Sequence, residues 1–160
     1  MRRLILMRHG EAERPRPGLE DFDRALDEEG RAESRRMGQA LAKAGFTPDL
    51  ALVSAARRTL ETWAGAAAAF TGDIAVEQRR GLYAASAVTL SASATEAAGR
   101  AQTVMIVGHN PGIHQYAAHL AQQAGADAPV RFPTGSAAVF GFDEDGRPRL
   151  ETMLTARDLR

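Results

Sequence analysis

The apolar run Leu4-Ile5-Leu6-Met7 is followed without a break by Arg8-His9-Gly10. Four consecutive apolar residues bounded by charged ones are typical of a short strand that is buried on both faces. The triplet falls where that strand ends, and ligands of open α/β sheets bind just outside the carboxyl ends of the strands. We therefore expect the first loop to bring a guanidinium and an imidazole to a ligand site, where the glycine lets the backbone come close.

Strand and helix patterns alternate along the rest of the chain. Strands are predicted at Arg3 to Met7, Leu50 to Val53, Ile74 to Val76, Thr103 to Val107, Ser136 to Phe142 and Leu150 to Leu154. Helices are predicted from Asp27 to a stop at Gly45, and at Arg57 to Phe70, Val88 to Ala98 and Ile113 to Ala124. This alternation predicts one domain, residues 1–160, with an α/β fold: a three-layer α/β/α sandwich whose mainly parallel sheet has an antiparallel edge at the C-terminal hairpin.

Two of these helices carry more detailed expectations. The apolar face of the helix from Arg57 is predicted to consist of Leu60, Trp63, Ala64 and Ala67. The last helix is expected to begin with Asn110 as its cap and Pro111 in its first turn. His114 and His119 lie inside that helix and are interpreted as surface or packing residues.

The composition narrows the function classes. Twenty basic side chains balance twenty acidic ones, so no overall field attracts nucleic acid or an anionic membrane. The absence of cysteine excludes disulfides, a thiol nucleophile and a cysteine-bound metal. No stretch approaches the roughly 20 apolar residues that span a bilayer and no signal peptide is recognisable, so a cytoplasmic location is expected.

Polar residues of one chemical kind follow three of the predicted strands. The set consists of Arg8 and His9, then Ser54, Arg57 and Arg58, then His109 and Asn110. Because the carboxyl ends of parallel strands meet at one edge of a sheet, we expect these side chains to converge. Two histidines with arginines around one point suit a doubly charged phosphoryl group, which arginine grips in a fork.

A division of labour follows from the chemistry of these side chains. One histidine attacks phosphorus and becomes phosphorylated, for which it has to be neutral, and nearby arginines would lower its pKa. Its second ring nitrogen should donate to a carbonyl, and Gly10 is the candidate. The arginines and the second histidine would neutralise charge on the equatorial oxygens in the transition state. Water would then release phosphate, so no metal or other cofactor is expected.

Four motifs resemble those of the histidine phosphatase superfamily, also called the phosphoglycerate mutase-like superfamily. They are Leu6-Met7-Arg8-His9-Gly10-Glu11-Ala12, Asp23-Arg24-Ala25-Leu26 with Gly30, Ser54-x-x-x-Arg58-x-x-x-Thr62, and Val107-Gly108-His109-Asn110-Pro111. The resemblance implies a phosphoglycerate mutase-like fold. It also implies the phosphorylated nucleophile, His9, and a phosphate pocket completed by Arg8, Arg58 and His109, with Gly10 and Asn110 as further contacts. Arg57, one position before the matching arginine, is the second choice for the clamp.

The short chain and its Arg-His-Gly-Glu-Ala start look most like the SixA branch, the phosphohistidine phosphatases. Only 51 positions separate Arg58 from His109 (109 − 58), an interval in which mutases and many small-molecule phosphatases of the family place a lid with an acidic proton donor. Glu77 is the only carboxylate in the corresponding region and is a candidate acid. A phosphorylated imidazole that is protonated on its other nitrogen leaves as neutral imidazole and needs no enzyme acid.

An open site without a lid suits a histidine displayed on another protein, so the expected substrate is a phosphorylated protein such as a histidine-containing phosphotransfer domain. A monomer would also suit an open site. Three alternatives stay open. The first is a phosphomonoesterase that acts on a small phosphorylated substrate, the second is a phosphoglycerate-type mutase, and the third is a phosphate-binding module without catalysis.

Overall fold

The computed structural model describes all 160 residues, Met1–Arg160, and is built around one six-stranded sheet. The strands are β1 (Arg3–Arg8), β2 (Leu50–Ser54), β3 (Ala75–Arg79), β4 (Thr103–Gly108), β5 (Ala137–Phe142) and β6 (Pro148–Leu154). The helices are α1 (Glu28–Lys43), α2 (Arg57–Ala67), α3 (Ala87–Ala98) and α4 (Gly112–Gln123), with short 3-10 turns at Asp21–Asp23, Arg80–Leu82 and Ala156–Leu159. None of the helices combines the length and the apolar character needed to cross a bilayer.

The strand order in the sheet is β3-β2-β4-β1-β5-β6. The first four strands along the chain run parallel to their neighbours, whereas β5 is antiparallel to β1 and β6 is antiparallel to β5. The prediction of a mainly parallel sheet with an antiparallel edge is confirmed. Each predicted strand and helix is present, with ends that differ by a few residues.

Alternate residues of the central strands supply two separate cores, one on each face of the sheet. In β1, Leu4 and Leu6 pack with α3 and α4, whereas Ile5 and Met7 pack with α1 and α2. All four side chains are fully buried. Since successive side chains of a strand point to opposite faces, an apolar run without alternation requires helices on both sides. The three-layer arrangement is therefore confirmed.

The predicted buried face of α2 is only partly correct. Leu60, Trp63 and Ala67 are half-buried and pack against the core that contains Ile5 and Met7, but they are not the most buried residues of the helix. The helix buries Thr59, Thr62 and Ala66, while Ala64 is exposed. The reason is a close approach between α1 and α2: a Cβ on Gly38 would lie 2.2 Å from the carbonyl oxygen of Ala66. Small and hydroxyl-bearing residues fit this contact better than Leu60 or Trp63 do, and apolar periodicity alone does not report backbone proximity.

The register of the sheet determines where the functional residues lie. Arg8 at the end of β1 pairs with Gly108 at the end of β4, and Val53 of β2 pairs with Val107 on the other side of β4. The residues that follow these three strands therefore emerge side by side at one edge of the sheet.

Candidate active site

Two histidine side chains lie next to each other at this edge. The ring centroids of His9 and His109 are 5.3 Å apart, and the backbone N–H of His9 donates to the carbonyl of Gly108 at 3.1 Å. The rings face a cavity of about 290 Å³. It is lined by Arg8, His9, Glu11, Ala12, Arg24, Arg58, His109, Asn110 and Thr134. The expected convergence of side chains after three strands is therefore observed for β1 and β4, and for Arg58 after β2.

His9 is held in one tautomer. Its Nδ1 lies 2.7 Å from the carbonyl oxygen of Gly10, and because a carbonyl only accepts, Nδ1 carries the proton. Burial, which is the largest cause, and the charges of His109, Arg58 and Arg8 together lower the pKa of His9 to about 3, against the opposing effect of the Gly10 hydrogen bond. The imidazole is thus neutral near pH 7. Burial, rather than the arginines alone as the sequence suggested, is the main cause.

The expectation that Gly10 contacts phosphate is corrected by its hydrogen bonds. Its N–H donates to the Thr62 hydroxyl at 3.0 Å, and its carbonyl is occupied by His9. A Cβ on Gly10 would lie 2.5 Å from the carbonyl oxygen of Gly30 in α1. The glycine therefore allows the loop to approach α1 rather than a ligand, and its role is to present a carbonyl to His9.

The structure distinguishes the two adjacent arginines. Arg58 is 6% exposed and lines the cavity, where its guanidinium donates to the Asp21 carbonyl at 2.7 Å and to the Asp21 carboxylate at 3.1 Å. Arg57 is exposed, pairs with Glu61 at 3.5 Å and does not line the cavity. On the opposite wall, Arg8 donates to the carbonyl of Phe132 at 3.2 Å.

His109 is oriented by Ser54, one of the polar residues that were expected to converge after the second strand. Its Nε2 lies 2.8 Å from the Ser54 hydroxyl oxygen, and Ser54 is fully buried. Burial, followed by the charge of Arg58, lowers the pKa of His109 to about 4. His109 is therefore neutral near pH 7, and it offers a hydrogen bond rather than the full positive charge expected from the sequence.

Asn110 lines the cavity but does not cap α4, so that prediction is wrong. Its side-chain Nδ2 donates to the carbonyl of Phe132 at 2.9 Å, and the capping position is occupied by Pro111. The peptide bond between Asn110 and Pro111 is cis. Asn110 thus ties the loop after β4 to the segment that also receives Arg8.

Three donors at the cavity have no partner within the protein. They are Arg8 Nε, Arg58 Nε and His109 Nδ1, which is a donor when the Ser54 hydroxyl donates to Nε2, and each is buried. Buried donors without partners are rare because their desolvation is not compensated. Three of them on residues around one cavity indicate a site for an anion with several oxygen atoms.

Two site residues have no role in the expectations drawn from the sequence. Asp21, which pairs with Arg58, also bonds to Arg24 at 3.0 Å and receives a hydrogen bond from the hydroxyl of Tyr83. These contacts, with that of Tyr83 the largest, lower the pKa of Asp21 to about 2. The ring of Tyr83 packs edge-on to His109 at 5.5 Å. Asp21 stands three residues before Arg24, and this spacing is the sequence pattern from which an Asp21–Arg24 contact could have been predicted. No sequence pattern indicated a role for Tyr83.

The other candidates lie away from the cavity. Glu77 does not line it and bonds to Arg79 and Arg100, each at 2.6 Å, and these arginines, Arg100 first, lower its pKa to about 2. His114 bonds to the carbonyl of Pro129 at 2.7 Å and His119 is exposed. His119 borders a groove of about 530 Å³ between α3 and α4, whose lining holds no acidic residue, lysine or arginine.

Comparison with known proteins agrees with this geometry. The family model of the histidine phosphatase superfamily (branch 1) matches residues 4–86, just over half of the chain. The SixA structure from Agrobacterium tumefaciens is 33% identical, with a TM-score of 0.84, over 96% of this chain and 97% of that one. SixA from Nakamurella multipartitia is 26% identical, with a TM-score of 0.83, over 96% and 95% of the two chains.

A curated relative matches only one segment. An uncharacterised chloroplastic protein of Arabidopsis thaliana is 43% identical over 61 residues, which is 38% of this chain and 28% of that protein. The matched segment is thus less than a third of that relative. From the family model and the relative that is similar along nearly its whole length, we conclude that the chain belongs to the histidine phosphatase superfamily, with its phosphoglycerate mutase-like fold, and is of the SixA type.

Proposed function

We propose that the protein is a phosphohistidine phosphatase that transfers a phosphoryl group from a histidine of another protein to its own His9, and then to water. One observation carries this function. A neutral imidazole, fixed by the Gly10 carbonyl, shares a small cavity with three buried donors that have no protein partner. Such donors match the oxygen atoms of a phosphoryl group, and a fixed neutral imidazole is a nucleophile.

The attacking atom in this mechanism is Nε2 of His9. Because Nδ1 donates to Gly10, the lone pair is on Nε2. Attack forms the bond from Nε2 to phosphorus and breaks the bond from phosphorus to the substrate nitrogen, whose electron pair remains on the substrate imidazole. The proton on Nδ1 is already in a hydrogen bond, which stabilises the positive charge that His9 gains. Water then attacks the phosphorylated His9, regenerates the imidazole and yields inorganic phosphate.

Arg8, Arg58 and His109 stabilise the charge of the transferring group in this scheme. Donors aimed at charge that develops in the transition state are often the largest single contribution to catalysis. The Ser54 hydroxyl oxygen accepts from the N–H of Ala56 at 3.4 Å, so its own proton is free to donate to Nε2 of His109. The ring proton of His109 is then on Nδ1, where it meets a phosphoryl oxygen.

The state of the nearby carboxylates supports a substrate whose leaving group needs little acid. Asp21 is ionised at neutral pH because its pKa is about 2, and Glu77 is bound to two arginines outside the cavity. Alkyl phosphates gain typically 10²–10⁴-fold from a positioned acid. A phosphohistidine that carries a proton on its other nitrogen leaves as neutral imidazole, with a conjugate acid near pKa 6.5.

The borders of the cavity support a protein substrate. The connection from β3 to α3 consists of residues 80–86, and the ring of Tyr83 within it packs edge-on to His109. A connection of this length leaves the mouth of the cavity accessible to a histidine displayed on a folded partner. We propose a histidine-containing phosphotransfer domain as the partner, a monomeric enzyme, and a cytoplasmic location; sedimentation analysis and cell fractionation test the last two.

A substrate panel tests the function. The panel contains a histidine-containing phosphotransfer domain phosphorylated on histidine, a short peptide that carries the same phosphohistidine, free phosphohistidine and several sugar phosphates. We expect kcat/KM to be highest for the folded phosphorylated domain and lowest for the sugar phosphates. His9→Ala should abolish release of phosphate from every member of the panel.

Three results would contradict this function. Higher kcat/KM for a sugar phosphate would make the protein a phosphomonoesterase. Interconversion of phosphoglycerates would make it a mutase. Binding of inorganic phosphate without turnover of any substrate would make it a binding module.

A further inference from the structure

Glu33 is a buried carboxylate that the proposed reaction does not use. It lies near the start of α1 and is 9% exposed. Burial raises its pKa, which means that the surroundings do not favour its charge. A buried carboxylate is costly unless its oxygen atoms are hydrogen-bonded. The groups that bond to Glu33 are therefore informative.

The two oxygen atoms of Glu33 connect two segments that line the cavity. Oε1 accepts the backbone N–H of Glu11 at 2.7 Å, directly after the His9-Gly10 pair. Oε2 accepts from the hydroxyl of Thr134 at 3.2 Å, and the same hydroxyl also lies 3.4 Å from the Glu11 carboxylate. Glu11 and Thr134 both line the cavity. One side chain from α1 thus contacts both segments from behind.

The segment that contains Thr134 also bonds to Arg8 and His9. The carbonyl of Phe132 accepts from the guanidinium of Arg8 at 3.2 Å. The N–H of Gly135 donates to the carbonyl of His9 at 2.9 Å. The position of this segment, residues 132–135, therefore affects the direction of the Arg8 guanidinium relative to the His9 ring.

We infer that Glu33 is a positioning residue: by bonding to Glu11 and Thr134 at once, it holds residues 132–135 against the His9 loop and directs Arg8 toward the bound phosphoryl group. The inference rests on the proposed use of this cavity for phosphate. Glu33 itself touches no reacting atom. A shift of about 1 Å in a group that contacts the transition state can cost about 10²-fold in rate, so removal of this link should be visible in kinetics.

Three variants separate positioning from general stability. Glu33→Leu removes both hydrogen bonds. Glu33→Gln keeps an acceptor for the Glu11 N–H and places an amide donor opposite the Thr134 hydroxyl oxygen, so it should restore the link without the charge. Ser34→Ala is the matched control, since Ser34 is fully buried on the same helix and donates only to the carbonyl of Gly30 at 2.8 Å.

The readouts are the Kd for inorganic phosphate by calorimetry, the kcat and KM for an aryl phosphate, and the thermal midpoint. We expect Glu33→Leu to raise the Kd at least about ten-fold and to lower kcat by about 10–100-fold. Glu33→Gln should stay within about three-fold of the wild type in both, and Ser34→Ala should lower only the thermal midpoint. Wild-type Kd and kcat in Glu33→Leu, or equal losses in Glu33→Gln or Ser34→Ala, would overturn the inference.

A second pair of variants applies if Glu33→Leu does not fold. Thr134→Val removes the hydroxyl at the surface end of the link, and Thr134→Ser keeps it. A weaker phosphate affinity in Thr134→Val alone supports the inference, and equal affinity in the two variants overturns it. Phosphate binding is measured without any phosphohistidine substrate. A protein that binds phosphate as expected but does not dephosphorylate histidine would contradict the proposed function and leave the role of Glu33 intact.

Discussion

The Nδ1 atom of His9 lies 2.7 Å from the carbonyl oxygen of Gly10, the next residue in the chain. This contact places the ring proton on Nδ1 and the lone pair on Nε2, so one peptide unit determines which nitrogen can attack. The residue that supplies this carbonyl is also held at its N–H, which donates to the Thr62 hydroxyl. The orientation of the proposed nucleophile thus depends on how the Gly10 loop packs against α1 and α2.

Gly10→Ala tests whether catalysis depends on the packing of this loop. The new Cβ would lie 2.5 Å from the carbonyl oxygen of Gly30, so the loop has to move and the His9 ring with it. We expect kcat to fall about 10²-fold, the usual cost of an ångström-scale misplacement. Gly99→Ala is the control, because the added methyl group meets no atom within 4 Å. Activity near the wild-type level in Gly10→Ala would show that the loop position is not critical.

The pKa values of the two site histidines predict where they take up protons. His9 has a pKa of about 3 and His109 of about 4, both below the value of about 6.5 for a free imidazole. A histidine whose pKa is lowered stays neutral at pH values at which a free imidazole is already protonated. The proposed nucleophile, His9, should therefore remain neutral at pH 5 and be lost only as the pH falls toward about 3.

Carbon-13 NMR titration of the imidazole groups measures these values directly. The His9→Asn and His109→Asn variants assign the resonances. We expect the two site histidines to show neutral chemical shifts at pH 5, in protein that circular dichroism shows to be folded. Titration of either ring near pH 6.5 in the folded protein would contradict the burial on which the mechanism depends.

Arg58 and Arg57 should differ sharply in their effect on activity. Arg58 is buried at the cavity, so Arg58→Ala should lower kcat/KM by about 10²–10³-fold, as removal of a transition-state donor does. Arg57 is exposed and has only a surface ion pair with Glu61, so Arg57→Ala should change kcat/KM by no more than about two-fold. Steady-state kinetics of the two variants test this. Similar losses in both would place Arg57 at the site.

Ser54→Ala tests whether the tautomer of His109 matters. The substitution removes the group 2.8 Å from Nε2 and leaves the rest of β2 unchanged. We expect kcat to fall about ten-fold, which corresponds to one hydrogen bond of about 1.4 kcal/mol in the transition state. Ser93→Ala, on the exposed side of α3, is the control. An unchanged kcat in Ser54→Ala would mean that His109 is oriented by other contacts.

The convergence of the site could be predicted because it depends on simple patterns. The apolar runs that end at Arg8 and at Gly108 have no alternation, so both strands had to be central and covered on both faces. Parallel central strands bring their ends to one edge, and this placed His9 beside His109. These inferences require only the period of the side chains and the direction of the strands.

Features that depend on backbone proximity could not be predicted in the same way. The buried face of α2 is determined by its contact with Gly38, and the function of Gly10 by its contact with Gly30. Asn110 bonds to a carbonyl 22 residues away rather than to the helix that follows it. Each contact joins segments that are distant in the chain, and no local pattern reports such distances.

Asp21 has one contact that the sequence spacing indicates and others that depend on residues distant in the chain. Its spacing from Arg24 is visible in the sequence, but its contacts with Arg58 and Tyr83 are not. These contacts keep the carboxylate ionised, which argues against its use as a proton donor. The sequence therefore predicted which residues converge at the candidate site but not the electrostatics at its border.

Trapping of the phosphorylated enzyme tests the central claim most directly. A phosphotransfer domain labelled on its phosphohistidine is mixed with the protein for milliseconds and quenched in alkali, in which phosphohistidine survives, before peptide mapping. We predict label on His9 in the wild type and in the control His114→Ala, and no label in His9→Ala. Turnover of the substrate without labelled His9, or label on a different residue, would contradict the assignment of His9 as the nucleophile.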